Sequence, residues 1–113
     1  MIKPGQIALA PFPYTDLSNA KKRPVLLLKA LEHNDFLVCM VSSKINQTNP
    51  ELDMVITPQD EIFLRSGLKT LSVIRLSRLA VLDSKILLGS IGSLPDNTTK
   101  ALQLKLSKWL TAD

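Results

Sequence analysis

The stretch "PFPYTDLSNAKKRPVLLL", residues 11–28, sets two opposed signals side by side. Three cations, Lys21, Lys22 and Arg23, run directly into Pro24 and an apolar series that continues as "PVLLLKAL". A strand with one wet face alternates polar and apolar residues, whereas consecutive apolar positions mark a strand covered on both faces. Pro24 biases Arg23 towards an extended backbone, so that arginine enters the strand at a well-defined place. The prolines and turn-forming residues ahead of the triplet end the preceding strand, "GQIALA".

Working outward, the remaining chain reads as further short strands. "EHND" supplies turn chemistry, "FLVCMVS" is a third strand, and "SKINQTNPE" is a polar, turn-rich surface loop. "LDMVIT" fits a fourth strand, and "PQDEIFLRSGLKT" holds one short helical turn before Gly67. "LSVIRLSRLAVL" and "KILLGSIG" are two more strands separated by Asp83 and Ser84. The tail changes period. Leu102, Leu106, Trp109 and Leu110 fall at helical spacing opposite Lys100, Gln103 and Ser107, which predicts an amphipathic helix with Trp109 buried. Ser93 and Asp96 resemble a capping box, with Pro95 in the first turn. The expected fold is mainly β: about six strands in a small curved barrel, with a C-terminal α-helix packed on it.

At 113 residues, the chain is expected to form a single domain over 1–113. Hydrophobic residues are 45% and aromatics only 4%, so the core must be aliphatic. The formal charge of +4 allows a polyanionic partner without demonstrating one. Cys39, the only cysteine, lies in "FLVCMV" and reads as a small buried hydrophobe, which favours a reducing compartment. Prolines interrupt the N-terminus and no stretch reaches the ~20 apolar residues of a membrane span. A soluble, cytoplasmic protein is the expectation.

One His and one Cys in separate segments cannot build a metal cluster, and four scattered glycines form no phosphate loop. No metal and no cofactor are expected. His33 reads as a solvated turn residue. What remains is arginine and hydroxyl groups at strand ends. Ser42 and Ser43 end the third strand, followed by Lys44. Arg75 is flanked by Ile74 and Leu76, an expensive place for a charge without a partner or ligand. Ser77 shares its face by strand alternation. Each serine also has an ordinary structural reading. Arginines with hydroxyls suit RNA cleavage by the substrate's own 2′-OH, because a guanidinium offers bidentate donors to the developing phosphorane. With a guanidinium pKa above ~12, Arg23 is assigned charge stabilisation first and proton transfer second.

The chain resembles the PemK/MazF family of toxin endoribonucleases from bacterial type II toxin–antitoxin modules. The matching segments are "GQIALAPFPYTDLSNAKKRPVLLL", "FLVCMVSSKI", "GLKTLSVIRLSRLAVLD" and "IGSL", in the family's order. The resemblance implies an SH3-like barrel of the PemK/MazF/CcdB toxin type, acting as a homodimer. It also implies metal-independent cleavage of single-stranded mRNA, leaving a cyclic phosphate and a 5′-OH, with a cognate antitoxin laid across the RNA groove. Arg23 falls on the family's R-P arginine, Ser42 on a position commonly held by a catalytic Thr, and Arg75 on the arginine of the V-[VI]-R strand. Lys21, Lys22, Ser43, Lys44, Ser77 and Asp16 are candidate RNA-binding residues. The family often has an Asp where this chain has Ser77, and some members have a His in the first loop. Both departures leave the general base unassigned. The alternatives are a gyrase-inhibiting toxin of the same fold, which would need an exposed C-terminal Trp, and a non-catalytic RNA- or protein-binding barrel.

Overall fold

Four successive residues of one strand, Val25 to Leu28, are all buried, and the architecture follows from covering both of their faces. The computed structural model describes residues 2–12 and 21–113. Six strands form one antiparallel sheet: β1 (Gln6–Phe12), β2 (Lys21–Ala30), β3 (Asp35–Ser42), β4 (Met54–Ile56), β5 (Ser72–Asp83) and β6 (Ser90–Ser93). Their spatial order is β4-β5-β3-β2-β1-β6, so β2 lies inside the sheet. A four-residue helix α1 (Phe63–Ser66) precedes β5, and the sixteen-residue helix α2 (Asp96–Thr111) closes the chain. The mainly β fold with a C-terminal helix is the one expected from the sequence. Among the described residues no helix is long and apolar enough to cross a membrane.

The sheet separates two aliphatic cores. Leu26, Leu28, Cys39, Val41, Ile74 and Leu76 share one with Leu102 and Leu106 of α2. Val25, Leu27 and Val38 share the other with Ala8, Ala10 and Leu82. The β2–β3 hairpin turns at His33 and Asn34, whose φ values of 63° and 64° supply the two left-handed positions that a tight hairpin needs. Both flanking strands therefore begin in a fixed register.

Register shifts curve the sheet and open sites for other groups. Leu27 pairs with Val38 and Lys29 with Leu37, so Leu28 is the extra residue between them. Its carbonyl accepts a 2.6 Å hydrogen bond from Gln103 Nε2, which ties α2 to the sheet. Gln103 is itself exposed, as its place opposite the apolar stripe implied, and only its amide reaches back to the sheet. A larger shift separates Met40, paired with Arg75, from Cys39, paired with Leu79.

Several expectations need correction. Trp109 is 45% exposed and Leu110 63%, although Leu102 and Leu106 are buried; the last turn of α2 runs past the edge of the core. The Ser93–Asp96 capping box is not formed. Ser93 ends β6 instead, and Pro95 is the N-cap with no side-chain cap bond. "KILLGSIG" is not one strand: a 3-10 turn over Ser84–Ile86 comes first, and Gly89, at φ +116°, precedes β6. Lys21 and Lys22 already belong to β2, paired with Phe12 and Pro11.

Gly67 caps α1 in the left-handed region at φ +76°, as the sequence anticipated. Gly92 of β6 lies against the backbone of Arg65 and Ser66, leaving no space for a Cβ. That contact sets α1 on the sheet edge. Gly92→Ala is expected to lower unfolding free energy by about 1–3 kcal/mol, the usual cost of overpacking. A urea titration followed by circular dichroism measures it.

Candidate functional site

The sheet register sorts the candidate residues onto faces. Ala8 and Ala10 pair with Val25 and Arg23, and Val25 pairs with Met40. Arg23, two residues before Val25, and Ser42, two residues after Met40, therefore lie on the same face at the same end of the β2–β3 pair. Met40 pairs with Arg75, and Ser42 with Val73, which adds Arg75 to that face. Arg23 and Arg75 are two strands and two residues apart. Ideal spacings place their Cα atoms about 12 Å from one another, a gap that two arginine side chains span around one phosphate. Lys21 shares this face with Arg23, while alternation turns Lys22 to the other side.

Local structure anchors each group differently. Arg23 is exposed and lies next to Pro24, where β2 leaves the core. Ser42 is half-buried, and its Oγ accepts a 3.0 Å hydrogen bond from the Lys44 backbone N–H. Among the described residues the hydroxyl proton has no acceptor, so within them it is available to an outside one. Ser43 and Lys44 are exposed at the start of a 3-10 turn over Ile45–Gln47. Asp16 lies outside the described residues.

Arg75 has partners that the sequence reading did not identify. Its Nη1 donates to Gln47 Oε1 at 3.1 Å, and its Nε stands 4.0 Å from Asp53 Oδ2. The arginine side chain is 13% exposed and that of Asp53 0%. Asp53 accepts from three donors: the backbone N–H of Asn49 at 2.9 Å, the backbone N–H of Ser77 at 3.1 Å and the Ser77 hydroxyl at 3.1 Å. Those bonds are what make a fully buried carboxylate tolerable. The segment read as a polar surface loop is thus fastened at two points near its middle, by Gln47 to Arg75 and by Asn49 to Asp53. Asp53 was legible in principle. It sits between Leu52 and Met54, as Arg75 sits between Ile74 and Leu76, and the reasoning that singled out one applies to the other.

Cys39 is buried in the same region. Desolvation first, and the Asp53 carboxylate second, push its thiol far above the usual range, so it is held as an inert thiol. His33 is an exposed turn residue away from this face. Among the described residues no three His, Cys, Asp or Glu side chains gather as a metal site would need. The arrangement offers two guanidinium groups, one oriented hydroxyl and flanking lysines, a donor set suited to a phosphodiester.

Known proteins place this fold. No curated protein sequence matches the chain. Among solved structures, an endoribonuclease in complex with its cognate antitoxin from a mycobacterial species superposes with a TM-score of 0.70. It is 14% identical, and the match covers 100% of this chain and 98% of that one. The Mycobacterium tuberculosis toxin MazF-mt6 gives 0.67 at 19% identity, over 96% and 98% of the two chains. A MazE–MazF structure from Deinococcus radiodurans gives 0.68 at 15%, over 99% and 97%. At such identities the likeness establishes the fold. Residues 3–110 match the family model of the PemK-like, MazF-like toxins of type II toxin–antitoxin systems, and the chain belongs to that family.

Proposed function

We propose that this toxin is a metal-independent endoribonuclease that cleaves single-stranded mRNA in the cytoplasm. The observation that supports this most is the placement of Arg23, Ser42 and Arg75 on one face of the sheet, with Arg75 held by Gln47 and backed by Asp53. The RNA's 2′-OH attacks the adjacent phosphorus and the 5′-oxygen leaves, giving a 2′,3′-cyclic phosphate and a 5′-OH. Arg23 and Arg75 stabilise the charge that builds on the non-bridging oxygens. The Ser42 hydroxyl donates to a phosphate oxygen or orients the 2′-OH. Lys21, Ser43, Lys44 and Asp16 bind the strand around the scissile bond; Lys22, on the other face, adds longer-range attraction, and Ser77 serves the site through its hydrogen bonds to Asp53.

The structures in which relatives are bound to antitoxins support a cognate antitoxin as partner, one whose chain covers the same face. A homodimer is the second part of the proposal. It rests on the family resemblance and on apolar side chains left exposed on β5 and α2, among them Val81, Trp109 and Leu110. Sedimentation at micromolar concentration is expected to give a dimer; a monomer alone would count against it.

The exposure of Trp109 meets the condition that the gyrase-inhibiting alternative required of its C-terminal Trp. A supercoiling assay separates the two readings, with no effect on gyrase expected. The direct test of the nuclease uses antitoxin-free protein and a long RNA in EDTA. Wild type is expected to cut at defined sequences and Arg23→Ala to lose at least about 100-fold in rate, the scale of a lost transition-state donor. Intact RNA with folded wild type would sink the proposal.

Arg75→Ala is expected to slow cleavage more than Lys21→Ala or Lys22→Ala. The lysines contribute salt-screened attraction to phosphates, so their loss should raise KM most at low salt, with the difference shrinking as salt rises, and leave kcat nearly unchanged. The reverse order in kcat would show that the chemical centre lies nearer the triplet.

A further inference from the structure

We propose that Asp53 is a positioning residue that sets the Arg75 guanidinium for phosphate contact, directly at Nε and through the turn that carries Gln47. The inference rests on the ribonuclease reading above. Asp53 is not itself a group that meets RNA, because its side chain has no exposed surface. It acts through its neighbours. Continuing the Met54–Ile74 pairing by one residue puts Asp53 beside Arg75, and its Oδ2 lies 4.0 Å from Nε. That Nε is buried and has no hydrogen-bond partner among the described residues, and the acid group recorded beside it is the Asp53 carboxylate.

The carboxylate also receives the Asn49 N–H at 2.9 Å, and the Asp53 N–H donates to the Asn49 carbonyl at 2.8 Å. The turn carrying Gln47 is pinned by these reciprocal bonds, and Gln47 in turn holds Nη1 at 3.1 Å. Two routes from one carboxylate thus converge on the guanidinium, one electrostatic at Nε and one through the turn at Nη1. Ser77 completes the arrangement by donating both its N–H and its hydroxyl to Asp53. With Nη1 engaged by Gln47 and the carboxylate 4.0 Å from Nε, Nη2 is left for a phosphate, and a misplacement of about 1 Å there would cost on the order of 100-fold in rate.

Asp53→Asn removes the charge at almost constant volume and puts an amide donor against N–H groups that need an acceptor. The experiment measures kcat and KM for single-stranded RNA with wild type, Asp53→Asn, Arg75→Ala and the double variant. Thermal melts confirm folding, and ¹⁵N NMR follows the Arg75 Nε–Hε group. Asp53→Asn is expected to lower kcat about 10- to 100-fold with KM within about threefold. In the Arg75→Ala background the same change should cost less than about twofold, since a residue acting through Arg75 has nothing left to act on. The Arg75 Nε–Hε signal should shift and exchange faster in Asp53→Asn.

Equal cost with and without the Arg75 side chain would overturn the proposal, as would a wild-type kcat in Asp53→Asn. Should Asp53→Asn fail to fold, Ser77→Ala keeps the carboxylate but removes one donor, and it carries the same cycle with a smaller expected loss. Should folded wild type cut no RNA, the ribonuclease reading fails by itself. The Arg75 resonance then decides the positioning role: a shift supports it and an unmoved signal overturns it.

Discussion

Two-sided burial of β2 is the constraint from which the rest of the molecule follows. Val25 and Leu27 belong to one core and Leu26 and Leu28 to the other. A slip of one residue would exchange the two sets, mismatch their packing in both cores, and draw Pro24 or the exposed Lys29 into a core position. The register against β1 and β3 is therefore set by packing. That same register decides which cation of the triplet shares a face with Ser42 and Arg75. Lys21 and Arg23 do, and Lys22 does not. The electrostatics of the open face are in this sense a by-product of aliphatic packing two turns of the pleat away.

The second constraint is the bulge on β5. Between Arg75, opposite Met40, and Leu79, opposite Cys39, the strand carries three residues that β3 does not match. Their extra length lets Leu76 stay in the core while Ser77 turns its N–H and hydroxyl onto Asp53. A regular strand would commit the Ser77 N–H to the ladder and could not offer both donors to one carboxylate. Bulges next to functional residues commonly re-aim side chains in this way. Here the bulge serves the residue beneath Arg75.

Much of this was legible in the sequence, and the exceptions have physical reasons. Consecutive apolar residues in "PVLLLKAL" marked a strand covered on both faces, and Gly67 marked the end of a short helix. Arg75 stood out because a charge inside an apolar run needs a partner. Yet periodicity could not show where that partner was, since Asp53 immediately precedes β4 and meets Arg75 only through the long-range pairing of β4 with β5. Trp109 misled because helical spacing says which face a residue occupies, not whether the core extends that far along the axis. The Ser93–Asp96 spacing misled for a related reason. Hydrogen bonding to β1 commits Ser93 to a strand, so it cannot serve as a helix cap. Asp16 lies outside the described residues.

The location of Asp53 also bears on the position where the family pattern often has an Asp and this chain has Ser77. A carboxylate on β5 at that position would share the face with Arg75, stand near the phosphate, and be able to exchange protons there. It would also repel the phosphate it serves. In this chain the negative charge is one strand over and fully buried, hydrogen-bonded to Ser77. From there it can brace the guanidinium, but it presents no charge to a polyanion. Burial removes Asp53 from direct proton exchange with a bound 2′-OH. On the proposed reading, then, this site has moved its carboxylate from chemistry to support, and Arg23 and Arg75 are left to carry the transition-state charge.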